Sequence, residues 1–226
     1  MTPTFERIAF TAEIQCNCLL RVPVQASASP VVAIALHGYG QTPETMLRLT
    51  SQMLQERAII ASVAAPFQFY AAQGPGGVAG YNWGVRDHWD EAVRLHHYIV
   101  DSVSAQLHGR FGVTADRILL VGFSQPVGLN YRYIGTRPNR VGGVIGLCGG
   151  VPKDWEEGKY QSVSTPILHI SRDEDEYFPV ETVNGYPARL RLHATDVEFH
   201  LLPGGHRFPS KAGHVVDPWL ARVFGV

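Results

Sequence analysis

The sequence predicts an α/β fold, a mainly parallel sheet covered by helices on both faces. Three observations predict it. Strand-like and helix-like segments alternate along the chain, the pattern of a parallel sheet. Val31–Leu36 reads VVAIAL, a continuous apolar run suited to a strand buried on both faces. Ala58–Val63 and residues 117–121 (RILLV) have the same character. At about 150 residues per domain, the 226 residues are read as one domain spanning 1–226. A chain of this size buries roughly 70–75% of its unfolded surface and needs no covalent staples.

The elements follow in order. Residues 5–10 and 14–22 read as an N-terminal antiparallel pair. Val31–Leu36 is the first buried strand. A helix is expected over residues 42–57, with Pro43 near its start, where a missing N–H costs nothing. Ala58–Val63 is the next strand. Residues 66–84 form a long loop rich in aromatic residues and glycine. Residues 87–107 are helical, 117–121 a strand, 125–137 a helix and 141–147 a strand. Residues 167–170 and Val197–Leu202 complete the sheet, and a helix covers 211–224. The longest segment free of these elements, 148–166, is too short for a large cap domain.

Composition narrows the function. Hydrophobic residues make up 45% of the chain, which argues against disorder. Lys and Arg number 19 against 20 Asp and Glu, for a net charge of -1. With no basic run, no nucleic-acid partner is expected. Cys16, Cys18 and Cys148 are too few for a disulfide framework. Cys16 and Cys18 alternate onto one face of a strand and lack the second pair of a metal site. His96 and His97 are neighbours in a helix, so they are expected to point apart and not share an ion. No His-Glu-x-x-His or Gly-x-Gly-x-x-Gly signature occurs. We therefore expect no metal and no cofactor. The start of the chain shows no basic, then apolar, leader, and no stretch reaches about 18 apolar residues. Cytoplasmic location without stable membrane insertion is expected, with a homodimer left open.

Open parallel sheets carry their sites at the carboxyl ends of the strands. After residues 117–121 comes Gly122-Phe123-Ser124-Gln125-Pro126. Strand, Gly-x-Ser, then helix is the layout of a nucleophile elbow, which lifts the serine above the sheet edge. The usual last glycine is replaced by Pro126. Proline in the first helical turn loses no hydrogen bond, but it pushes Gln125 toward extended angles. After Val31–Leu36 comes His37-Gly38-Tyr39-Gly40. The backbone N–H groups of Tyr39 and Gln125 are the candidate oxyanion donors. His37 precedes the serine in the chain and reads as a loop brace. After residues 167–170 four acids crowd together, Asp173, Glu174, Asp175 and Glu176, read as a solvated turn in which one acid orients a histidine. After Val197–Leu202 comes Gly204-Gly205-His206. The order Ser124, Asp175, His206 fits nucleophile, acid and base.

These residues carry a resemblance. Leu36-His37-Gly38-Tyr39-Gly40, Gly122-Phe123-Ser124-Gln125, Asp175…Pro179 and Gly204-Gly205-His206 resemble the α/β-hydrolase superfamily. The match is to its small phospholipase/carboxylesterase and dienelactone-hydrolase-like group. That implies the α/β-hydrolase fold without a large cap, and a serine carboxylesterase working through an acyl-enzyme. The group's Asp-x-x-x-Pro spacing selects Asp175, while counting forward from His169 selects Asp173. Serine at 124, where dienelactone hydrolases carry cysteine, favours ordinary carboxylic esters. A thioesterase, lysophospholipase or amidase on the same residues, or a non-catalytic binding protein, are the alternatives. The partner is then a small-molecule ester. Phe67, Trp83, Phe178 and Phe208 are candidate walls of its pocket, with core packing the competing reading for Phe67 and Trp83.

Overall fold

The structure is a computed structural model that describes residues 5–6, 8, 10–24, 29–71 and 77–226. Its seven-stranded sheet comprises β1 (Cys18–Arg21), β2 (Val31–Leu36), β3 (Ala58–Val63), β6 (Ile118–Phe123), β7 (Gly143–Leu147), β8 (Ile167–Arg172) and β9 (Val197–Leu202). The spatial order is β1-β3-β2-β6-β7-β8-β9. Only β1 runs antiparallel, against β3. The other pairs are parallel. Two short strands, β4 (Phe67–Tyr70) and β5 (Ala79–Asn82), form a separate antiparallel ribbon.

Alternation along the strands divides the core. Val31, Ala33 and Ala35 of β2 face one side, with Met46, Met53 and Leu54 of α1 (Pro43–Leu54) and Trp219 and Leu220 of α6 (Gly213–Phe224). Val32, Ile34 and Leu36 face the other, with Ile99 and Val100 of α2 (Trp89–Phe111) and Val127 and Leu129 of α3 (Gln125–Thr136). All six residues of β2 are buried, as a central strand with both faces covered requires. Thr42 caps α1 by accepting the Thr45 N–H at 3.3 Å, one place before Pro43. α2 stops at Gly112, whose left-handed φ of 65° suits glycine.

Several expectations are corrected. Among the described residues of the span 5–10 none is in a strand, and residues 7 and 9 lie outside the described residues. Phe5 and Phe10 are exposed, and the pairing edge of β1 is occupied by β3 instead. The loop at 66–84 contains the β4–β5 ribbon. Two short helices, α4 (Val180–Val183) and α5 (Tyr186–Leu190), follow β8. His96 and His97 do not point apart: their Nδ1 atoms lie 3.2 Å from each other inside the core. No helix among the described residues is long and apolar enough to cross a membrane. Those residues also hold no group of three or more His, Cys, Asp or Glu placed to bind a metal ion.

Candidate active site

The parallel strands end together, and their exits build the site. In register, Leu36 of β2 lies beside Gly122 of β6, and Gly122 beside Gly146 of β7. Ser124 follows β6 in a strained conformation, φ 63° and ψ -111°. A non-glycine residue holds such angles only where its surroundings over-determine them. Glycines make room around it. A Cβ on Gly122 would stand 2.7 Å from Asn130 Nδ2, and one on Gly149 only 2.5 Å from the Ser124 carbonyl oxygen. The Ser124 N–H donates to Leu147 O at 2.8 Å, which fastens the turn to the next strand exit.

Gln125 resolves the proline question. It stands in the first turn of α3 rather than in extended backbone. Its side chain supplies the restraint: Oε1 accepts the Trp83 N–H at 3.1 Å, while Nε2 donates to Asn82 Oδ1 and Gly84 O, both at 3.0 Å. These bonds hold Gln125 against the extended preference that Pro126 imposes. As a first-turn residue it has a backbone N–H without an intrahelical acceptor.

Three side chains are joined in series. His206 Nε2 lies 2.9 Å from Ser124 Oγ, and His206 Nδ1 lies 2.8 Å from Asp175 Oδ2. The other Asp175 oxygen accepts the N–H groups of Tyr177 and Phe178 at 2.9 and 3.0 Å. Asp175 is buried, and its neighbour two residues back is not. Asp173 instead accepts the Gly204 N–H at 2.8 Å. Glu176 accepts the His206 N–H at 3.0 Å, a contact that holds its carboxyl below the usual range. Three of the four acids thus bind the 204–206 loop at different points. Asp173 and Glu176 are exposed but anchored, not merely solvated as a charged turn would be.

The His206 ring is enclosed by aromatic side chains. Phe123, Tyr177 and Phe178 have ring centroids 5.2, 4.8 and 5.8 Å from it. The sequence reading gives Phe123, the middle residue of Gly-x-Ser, no role of its own; it packs on the sheet face that also holds Phe208. Phe208 packs on Phe123 at 5.7 Å.

His37 is wholly buried. Its Nε2 accepts the Ala65 N–H at 3.1 Å and its Nδ1 lies 2.8 Å from Gly38 O. The ring is therefore a neutral tie between two strand exits, and burial pushes its pKa down. Gln41 shapes the same loop by accepting the Gly38 N–H at 3.1 Å. Tyr39 sits at the loop apex with its ring exposed against Phe69.

A cleft of about 780 Å³ opens over Ser124 and His206, lined by Tyr39, Leu49, Phe178 and Phe208 among others. A second, of about 510 Å³, meets it at Ser124, Gln125 and Phe178, and is walled by Trp89, Val151 and Pro152. Phe178 lines both clefts and Phe208 the larger one. Phe67 and Trp83 line neither cleft. Trp83 is wholly buried and donates its indole N–H to His37 O at 2.8 Å, so it supports the loop from beneath. Phe67 belongs to the ribbon.

A family model described as Phospholipase/Carboxylesterase matches residues 20–220. Among solved structures the chain is similar to esterase PE8, with 20% identity and a TM-score of 0.74 over 93% of this chain and 100% of that one. It is similar to a carboxylesterase of Bacillus cereus, at 13% identity and TM-score 0.70, covering 92% and 95%. A third is Arabidopsis thaliana SOBER1, at 21% identity and TM-score 0.65, covering 85% and 98%. Identities this low speak for the fold alone. No curated protein matches the sequence. The family match over nearly the whole chain, on the α/β-hydrolase fold, makes this chain a member of the phospholipase/carboxylesterase family and a carboxylic ester hydrolase.

Proposed function

We propose that the chain hydrolyses carboxylic esters through an acyl-enzyme, with Ser124 as nucleophile, His206 as general base and acid, and Asp175 as the group that orients His206. The observation that carries this reading is the series Ser124 Oγ–His206 Nε2–Asp175, at 2.9 and 2.8 Å, mounted on a strained strand-to-helix turn. In the first step Ser124 Oγ bonds to the ester carbonyl carbon and its proton passes to His206 Nε2. The resulting oxyanion takes the N–H groups of Gln125 and Tyr39. Collapse breaks the bond to the alcohol oxygen, which leaves with the proton from His206. Water then repeats the sequence on the acyl-enzyme and releases the acid. Throughout, Asp175 keeps the proton on Nδ1 and stabilises the imidazolium.

The partner is a small-molecule ester bound in the clefts, with Phe178 and Phe208 among the groups that bound it. Labelling with a fluorophosphonate, followed by mass-spectrometric mapping, should modify Ser124. Folded Ser124→Ala should lose turnover by roughly 10⁴–10⁶. Retention of more than a tenth of the activity would overturn the assignment. A panel of p-nitrophenyl esters set against the matching anilides separates esterase from amidase.

A further inference from the structure

The two clefts differ in charge as well as position. The larger is lined by Arg48, Arg207 and no acid. The smaller holds Arg132, Lys153 and Asp154, with Arg132 ion-paired to Asp154. Among the described residues seven arginines stand in ion pairs, from Arg21 with Glu56 to Arg222 with Asp196. Among the described residues Arg48 and Arg207 have no ion pair and no side-chain hydrogen bond, and both are exposed.

The positive lining continues outward. A further hollow of about 640 Å³ shares Arg207 and Phe208 with the larger cleft. It adds Arg172 and Lys211, again with no acid. Of the nearby acids, Asp173 accepts the Gly204 N–H and Asp217 pairs with Arg57, while Glu176 accepts the His206 N–H and also feels the Arg207 charge without forming a salt bridge to it. Glu44, one turn before Arg48 on α1, is exposed and lines neither hollow. Cations without a salt bridge thus line one path that starts at Ser124, and no acid lines it. Such a path concentrates anions and orients them, and guanidinium is the group best shaped for carboxylate and phosphate oxygens.

The side of the ester that enters this path follows from the proton transfer. His206 must give its proton to the leaving oxygen, so the alcohol departs on the His206 side. His206 lines the larger, basic cleft and not the smaller one. Resting on the reading of Ser124 and His206 above, we propose that the larger cleft selects esters whose alcohol portion carries an anionic group, a carboxylate or a phosphate. The acyl chain then lies toward Val151 and Pro152 in the smaller cleft.

Butyrate esters that differ only in the alcohol test this in a pH-stat: glycolate, 2-hydroxyethyl phosphate, neutral propanol and cationic choline. Each kcat/KM is divided by the same ester's rate with hydroxide, which removes differences in leaving-group reactivity. The expected result is a preference of about tenfold or more for at least one anionic ester over propyl butyrate, with butyrylcholine lowest. Which anionic ester leads distinguishes carboxylate from phosphate. The preference should fall below about twofold in the Arg48→Ala/Arg207→Ala double variant, and raising salt from about 20 to about 500 mM should erode it in the unaltered enzyme. Because it is a ratio within one protein, a general loss of turnover in the variant cancels. Arg110→Ala, at the opposite edge of the sheet, should keep the full preference. Equal rates for anionic and neutral esters, or a preference that survives both the double variant and high salt, would overturn the inference. If Ser124 labels and neutral esters turn over without that preference, only this inference fails. If Ser124→Ala retains activity, the reading beneath it fails.

Discussion

Replacing Asp175 by asparagine exchanges one carboxylate oxygen for an amide nitrogen, and the surroundings dictate which one. Oδ1 accepts two backbone N–H groups, from Tyr177 and Phe178, so the asparagine carbonyl must stay there. The NH2 group is then forced into the Oδ2 position, facing His206 Nδ1. It donates to Nδ1, which drives the histidine proton to Nε2 and removes the acceptor that Ser124 needs. Flipping the amide breaks both backbone contacts, at about 1 kcal/mol each or somewhat more, so the productive tautomer drops by roughly 30–100-fold. Loss of the buried carboxylate beside the imidazolium removes about 3 kcal/mol more from the transition state. The combined loss in kcat/KM is about 10⁴, the scale known for this substitution in serine triads. The assay is hydrolysis of p-nitrophenyl butyrate by folded protein, checked by circular dichroism. Activity of Asp175→Asn within tenfold of the unaltered enzyme would refute the tautomer argument. If Asp173→Asn were the crippled variant instead, the orienting acid would be Asp173.

Two further outcomes are expected. Asp173→Ala and Glu176→Ala each remove one anchor of the 204–206 loop at an exposed site, so kcat should fall about fivefold in each, with the pH profile of kcat unmoved; a shifted profile or a loss beyond about a hundredfold would give these acids a direct chemical role. Acid should unfold the protein early, because burial lowers the pKa of His96, of His97 to about 4 and of His169 to about 3. The unfolded chain takes up these protons near pH 6.5 and the folded chain does not, so stability is full above pH 6.5 and declines as pH falls toward 4 and 3. The slope is up to about 1.4 kcal/mol per pH unit for each histidine. Urea titrations at pH 7 and pH 5 read it directly, and equal midpoints would refute the buried-histidine account.

The sequence was most legible where burial dominates. Val31–Leu36, Ala58–Val63 and Val197–Leu202 are strands with the expected bounds. The first two are buried at every position and apolar at all but Ser62, and no local preference competes with that pattern. The residues that compose the candidate site were legible because each follows a strand in the mainly parallel sheet. What was missed depends on contacts between distant segments. Glycine-rich residues 66–84 give no strand period, yet Phe69 pairs with Gly80 in a ribbon there. A Cβ on Gly80 would meet the Gly40 carbonyl oxygen at 2.6 Å, a close approach that sequence spacing cannot express. Trp83 was ambiguous because an aromatic residue in a loop suits either a pocket wall or a core. The indole N–H on His37 O decides for the core. The acids at 173–176 read as a solvated turn around one functional carboxylate. Their separate partners on the 204–206 loop appear only once β8 and β9 lie side by side.

The Gln125 side chain has a consequence for specificity. Both of its amide hydrogens are engaged, by Asn82 and Gly84, and its carbonyl oxygen holds Trp83. Although it stands next to Ser124 and lines both clefts, it has no free donor to turn toward a substrate. At this position the enzyme is chemically blind: the backbone N–H remains, but the side chain cannot discriminate between a polar and an apolar acyl group. Substrate preference must therefore reside in the walls farther out, where residues can change without loosening the turn that carries the serine.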